Sequence, residues 1–268
     1  MNLDPIKIAE HVKDANAFEF PFGYEWHLPV VHGFQVTKFM VLEVVAAVLM
    51  ILVFVPIARK MTAGTPPKGR FWNLFEVFIL FIRNQVVRPA VGKKDANRFL
   101  PLILSLFFFI LFCNLLGLVP WMGSPTASIN VTAPLALVVF LAGIISGMRK
   151  FGVLGFWLGL CPKLDLPFAM KIVLVPMVLV LEIVGLLIKH CVLAVRLLAN
   201  LFGGHLVLAL IMGFIPAVAS SPIWYGVAPM TVLGGTAISM LELFIAFLQA
   251  YIFAFLAALF IGMNVHQH

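Results

Sequence analysis

Residues 172–214 read IVLVPMVLVLEIVGLLIKHCVLAVRLLANLFGGHLVLALIMGF, an apolar run interrupted by three formal charges, Glu182, Lys189 and Arg196. One helix over this run is about 65 Å long at 1.5 Å per residue, twice the roughly 30 Å of hydrocarbon in a bilayer. A second run, Met230 to Met263, is about 50 Å long as a helix and carries one charge, Glu242. Transmembrane helices usually tilt by no more than about 40°. Each run therefore either breaks, with Pro176 and Gly203-Gly204 as candidate points, or lies steeply oblique in the membrane.

The rest of the chain agrees with lipid as its solvent. Of 268 residues, 63% are hydrophobic and 11% charged, and the mean hydropathy is +1.10; a soluble domain carries about a quarter charged residues. An ordinary soluble enzyme and a disordered tail are excluded. The net charge of +7 does not mark a nucleic-acid surface, because the basic residues sit at the ends of apolar runs, as topology signals do. Outward from the long runs, further spans are expected over 35–58, 99–119 and 133–148. A dozen apolar residues at 71–82 are too short to cross and read as an interfacial helix. Residues 1–34 form a polar, aromatic segment with Tyr24 and Trp26 suited to a membrane interface. They contain acids and no apolar core of a signal peptide, so the chain is expected to be used as translated. Cys113, Cys161 and Cys191 are scattered and odd in number, which fits neither a metal cluster nor a disulfide framework.

Nine basic residues stand against two acids between Arg59 and Arg98, and Arg149, Lys150, Lys163 and Lys171 follow the third span. The loops 120–132 and 215–229 are uncharged. The positive-inside rule puts the basic loops in the cytoplasm, the N-terminus outside and the tail 264–268 inside. The fold class expected is an all-α polytopic membrane protein with about five membrane helices plus a short interfacial helix, the last two long and strongly tilted.

Charges inside lipid cost about 2.5 to 3.5 kcal/mol each by insertion scales. Lys189 escapes by snorkelling; Arg196 keeps its proton at any accessible pH. Helical geometry groups these residues. Positions seven apart differ by only about 20°, so Glu182, Lys189 and Arg196 follow one slowly drifting face, with Asn200 one turn beyond Arg196. His205 points to the opposite side. Glu242 and Gln249 are again seven apart, with Ser239 one turn before them. His205 and Glu242 can pass a proton and a guanidinium cannot. The pattern describes an ion path interrupted by a fixed cation, whose missing piece is a mobile carboxylate on another protein.

The block Val195-Arg196-Leu197-Leu198-Ala199-Asn200-Leu201-Phe202-Gly203-Gly204-His205 resembles the core of subunit a of F-type ATP synthases. Glu182 and Lys189 fall at the family's spacing, residues 242–253 resemble its last helix, and Asn114 to Pro120 with Asn130-Val131-Thr132 resemble its second and third spans. The resemblance extends over about residues 35–263. It implies a stator subunit in a bacterial plasma membrane, with two proton half-channels against a rotating ring of c subunits. Peripheral-stalk b subunits and the other synthase subunits would be further partners. Arg196 would face the ring carboxylate; Asn200, His205, Glu242 and Gln249 would line the outer half-channel, and Glu182 the cytoplasmic one. Ser239, Asn114 and Lys189 are weaker polar candidates. The acid and imidazole at 242 and 205 are exchanged relative to some bacterial relatives, as in the mitochondrial arrangement. Gly117 stands where some relatives have an acid, and His190 where some have Pro.

No phosphate-binding loop, zinc-protease or nucleophile-elbow motif occurs, so no nucleotide, cofactor or metal is expected on this chain, which is not an enzyme by itself. A proton- or cation-coupled secondary transporter is the alternative, weakened by the lack of inverted repeats. An intramembrane enzyme using His205 and Glu242 lacks a nucleophile or a third ligand.

Overall fold

A computed structural model of the protein describes residues 17–20, 24–31, 34–62, 69–119, 122–159, 168–218 and 221–265. The described chain is dominated by helix. Five of its helices are long and apolar enough to cross a membrane: α1 (Lys38–Thr62), α4 (Ala96–Gly117), α5 (Ile129–Phe151), α7 (Phe168–Met212) and α9 (Trp224–Val265). The chain is thus an all-α polytopic membrane protein. Short helices lie between them: α2 (Arg70–Phe81), α3 (Arg88–Val91), α6 (Val153–Gly159) and α8 (Phe214–Ala217). Ahead of α1, two small antiparallel hairpins pair β1 (Ala17–Phe20) with β2 (Tyr24–His27) and β3 (Val30–Val31) with β4 (Phe34–Gln35).

The long runs do not break. α7 continues past Pro176 and Gly203-Gly204 for 45 residues, and α9 runs for 42, about 67 and 63 Å of helix. Continuous helices of that length fit about 30 Å of hydrocarbon only when they lie steeply oblique, which resolves the choice left open by their sequence.

Proline explains why three helices begin ahead of the apolar runs. Pro101, Pro134 and Pro229 are each the sixth residue of their helix. The missing N–H of a sixth residue frees only the carbonyl of the second, within the first turn, and such breaks are tolerated in membrane helices. α5 and α9 therefore start four residues before Ala133 and six before Met230. The interfacial segment is also longer than the apolar dozen at 71–82. After α2 the ladder slips into a π turn over Ile82–Val87, where the Arg88 N–H donates to the Arg83 carbonyl five residues back. The slip accommodates Pro89, which has no N–H to offer its own turn. α3 then ends at Gly92, whose φ of 86° is open to glycine at no steric cost.

The chain divides into two compact units. The first comprises 1–67, 107–132 and 196–251. Its hairpin end packs Leu28, Phe39 and Leu42 with Val36, Val41 and Met122. α1 meets α4 through Phe54 and Phe108, ring centroids 4.5 Å apart. Val44, Val48, Leu52 and Val55 form an exposed stripe on α1, the surface expected of a helix that faces lipid.

The second unit comprises 68–106, 133–195 and 252–268, and its packing depends on small residues. Without water, lipid tails give no hydrophobic drive between helices, so association rests on close contact. Ala254, Ala257 and Ala258 of α9 are fully buried. A Cβ on Gly262 would collide with the Ala90 carbonyl, one on Gly143 with the Asn264 amide, and one on Gly147 with the Phe156 ring. Asn264 and Val265 are thus buried in α9; residues 266–268 of the expected tail lie outside the described residues. His190 is also buried here, between Phe140 and Phe260 at 5.0 and 4.9 Å. Its Nδ1 lies 2.8 Å from the Leu186 carbonyl.

Gly262→Val should destabilise the purified protein by about 1–3 kcal/mol through overpacking. Gly226→Ala, which meets nothing within 4 Å, should change stability by no more than about 0.5 kcal/mol. Thermal unfolding in detergent checks the pair, and equal losses would contradict the close-contact account.

Candidate functional site

Within the first unit, the part of α7 from Arg196 onward and the part of α9 up to Tyr251 run antiparallel and exchange contacts in a regular order. The Asn200 Nδ2 donates to Gln249 Oε1 at 3.4 Å. One turn later, Gly204 lies against Glu242: an added Cβ would sit 2.8 Å from Oε1 and 3.4 Å from Cγ and Cδ. Further along, Gly235 of α9 accepts the Met212 and Leu208 side chains. At these glycines the facing side chains, Glu242 and Met212, occupy the space that a Cβ would take.

The polar groups so placed are not all satisfied. Glu242 is 6% exposed and Gln249 3%, and among the described residues Glu242 Oε1 and Gln249 Nε2 have no hydrogen-bond partner. Orphaned buried polar atoms cost about 1–3 kcal/mol each. Two of them, seven residues apart on one helix, mark a place where stability is given up for something else.

Arg196 begins the series, one turn before Asn200. It is exposed, and so are Val192, Val195 and Ala199 around it. Among the described residues it makes no hydrogen bond or ion pair. A permanent cation thus stands on an apolar helix surface with nothing from the described chain to neutralise it.

A third element fixes α9 between its two site residues. Asn114 of α4, fully buried, donates from Nδ2 to the Ala246 carbonyl at 3.2 Å. Its Oδ1 accepts from the Thr126 hydroxyl at 2.7 Å, and Thr126 is 2.8 Å from Ser124 Oγ. Ala246 is one turn past Glu242 and three residues before Gln249. Interhelical hydrogen bonds in membranes are worth about 0.6 kcal/mol on average and up to about 1.7, enough to hold register when several act together. Gly117 permits the arrangement, because a Cβ there would overlap Ser124. An acidic side chain at this position has no room beside Ser124.

The structure therefore brings together Asn200, Gln249 and Glu242, with Arg196 one turn away and Asn114 behind α9. His205 lies on α7, but its side chain is outside the described residues. Ser239 donates to the carbonyl of Gly235 in its own helix at 2.9 Å, which satisfies it without another helix. Glu182 and Lys189 are half-buried members of the second unit. Thr126 and Ser124 were not among the residues that spacing or resemblance singled out, and Gly204 stood there only as a possible break and as part of the resembling block. The one available signal was a glycine pair inside a helical run, which reads equally well as a break.

The model of the family described as "ATP synthase A chain" matches residues 40–262. The chain is 41% identical over 272 residues to a protein of Chloroherpeton thalassium named "ATP synthase subunit a", covering 98% of this chain and 78% of that one. It is 34% identical over 282 residues to "ATP synthase subunit a" of Myxococcus xanthus, covering 94% and 88%. Against "ATP synthase subunit a 2" of Chlorobaculum tepidum it is 39% identical over 271 residues, covering 96% and 72%. With the match running from the third residue of α1 almost to the end of α9, the chain belongs to the ATP synthase A chain family.

Proposed function

We propose that this chain is the proton-conducting stator subunit of a bacterial F-type ATP synthase, facing a ring of c subunits through Arg196, and that it performs no nucleotide chemistry itself. The observation that carries the reading is the unneutralised Arg196 on an apolar helix surface. In lipid such a charge needs an anion, and a ring that presents one carboxylate after another supplies it without locking it.

The chemistry follows from what each group can hold. A proton arriving from the outer side passes among His205, Glu242, Gln249 and Asn200 and reaches a ring carboxylate, which as a neutral acid can turn into lipid. On the opposite approach the acid gives its proton to the half-channel of Glu182 and becomes an anion beside Arg196. The guanidinium holds the anion until the next proton comes, and repels any proton taking a direct route between the half-channels. Coupling of proton flow to rotation depends on that barrier. The distribution of Lys and Arg supports an external N-terminus, a cytoplasmic C-terminus and placement in the bacterial plasma membrane. Peripheral-stalk b subunits are the further membrane partners in this reading.

Arg196→Ala is expected to abolish ATP-driven proton pumping by the assembled complex, read as acidification of inverted membrane vesicles; normal coupled pumping would defeat the assignment. Gly204→Ala puts a methyl group where Glu242 Oε1 lies, yet the obstacle is the end of a flexible side chain. The variant should stay within about 1 kcal/mol of the parent in stability while pumping several times more slowly, and a parental rate would remove Glu242 from the path. Exchanging the two relay groups, His205→Glu with Glu242→His, should cost less pumping than His205→Ala or Glu242→Ala alone. Equal loss in all three would contradict a shared relay.

A further inference from the structure

A second polar feature of the first unit lies away from the α7–α9 contact. A cavity of about 290 Å³ opens where the start of α1 meets the start of α5, lined by Gln35, Thr37, Glu43, Ser128 and Asn130 over an apolar floor of Phe39 and Val131. Glu43 is the one acid of α1, followed by Val44, Val45, Ala46 and Ala47. An acid within a membrane helix is costly and ordinarily lines an ion path or a wet cavity; here it lines the cavity.

The cavity is joined by the chain to the network behind α9. Ser128, on its wall, is two residues from Thr126, whose hydroxyl donates to Asn114, which in turn reaches the Ala246 carbonyl between Glu242 and Gln249. α1 packs on the turn Pro125–Ala127. On α4 the residue before Asn114 is Cys113, a buried thiol. Of the other groups that titrate here, Lys38 precedes Glu43 by five residues on α1 and lies beside Gly123; residues 122–131 contribute none.

We propose that this cavity is the outer mouth of the proton path and that Glu43 is the residue that gathers protons there. The inference rests on the reading of the chain as a proton-conducting subunit with its N-terminus outside. A carboxylate at the mouth of a low-dielectric cleft raises the local concentration of cations and exchanges protons with water. Ser128, Thr126 and Asn114 then supply neutral oxygens and amides from the mouth toward the α7–α9 contact. Its contribution should matter where protons are scarce and vanish where they are plentiful.

The test uses the complete ATP synthase in proteoliposomes, making ATP under an imposed potassium diffusion potential with the proton-entry side at pH 8.0 or pH 5.5. Glu43→Gln should be about ten-fold slower than the parent at pH 8.0 and match it at pH 5.5, and Glu43→Asp should restore the rate at pH 8.0. Parental rates at both pH values would overturn the proposal, as would an equal loss at both, which is the mark of a merely structural role. Should Glu43→Gln fail to assemble, Ser128→Cys decides. A membrane-impermeant thiol reagent on the entry side should label it and slow synthesis while leaving the parent unaffected; no labelling, or labelling without effect, overturns the proposal. The two readings fail separately. Coupled pumping by Arg196→Ala removes the stator function itself, whereas an inactive Arg196→Ala beside a pH-independent Glu43→Gln removes only the mouth.

Discussion

A guanidinium keeps its proton at every pH a cell reaches, and the one at residue 196 stands on a helix whose neighbours there are Val192, Val195 and Ala199. Lipid cannot accept it and the described chain does not pair with it. In the stator reading proposed above, much else in the protein follows from presenting that charge to a partner. A long oblique helix offers a broad surface in the membrane plane, which an upright one cannot. A steep angle in turn requires α7 and α9 to stay continuous over lengths that normally break, and neither the proline at 176 nor the glycine pair at 203–204 interrupts the backbone.

Holding such helices together without water falls to contact distance. Beside large buried side chains such as Phe253 and Ile261, α9 buries a series of small ones: Ala246 and Ala250 in the first unit, Ala254, Ala257, Ala258 and Gly262 in the second. Close packing leaves little room for polar side chains, and Glu242 and Gln249 intrude with an oxygen and a nitrogen that have no partner among the described residues. The fixed register from Asn114 matters for that reason. A helix free to slide by one turn would carry Glu242 past Gly204 and lose the space made for its carboxylate.

What could be read from the sequence follows from the same physics. Lipid enforces apolar runs, so the membrane helices were legible, and it penalises charge, so Glu182, Lys189, Arg196 and Glu242 stood out. A proline misled at one edge: Pro229, read as the end of the loop 215–229, lies one turn inside α9. The π turn at Ile82–Val87 was illegible because a slipped ladder has no composition of its own. The hairpins at 17–35 were missed among polar and aromatic residues read only as interface. At the candidate site, the residues that carry charge could be named from the sequence and those that contribute shape or a relayed contact could not. Gly204 matters for the side chain it lacks and Thr126 for an amide twelve positions away in sequence, and both facts belong to the folded chain.

Asn200, one turn from Arg196, and its partner Gln249 are amides, and their neutrality has a reason. An acid at 200, one turn along the same helix, would be placed to form a partly buried ion pair with the guanidinium, and breaking such a pair costs about 3–5 kcal/mol. An arginine held that tightly would not release to a passing carboxylate. Asn200 and Gln249 instead bond to each other, giving polarity without a competing charge. The nearest acid of α9 in the first unit, Glu242, is held two turns from Gln249, against Gly204. At 1.5 Å per residue that is about 10 Å along the helix, near the distance at which salt screens exposed charges but short enough for a proton to be handed on through intervening groups. The separation of Glu242 from Arg196 by neutral amides therefore lets one helix pair carry a proton-binding acid and an available cation without the two cancelling.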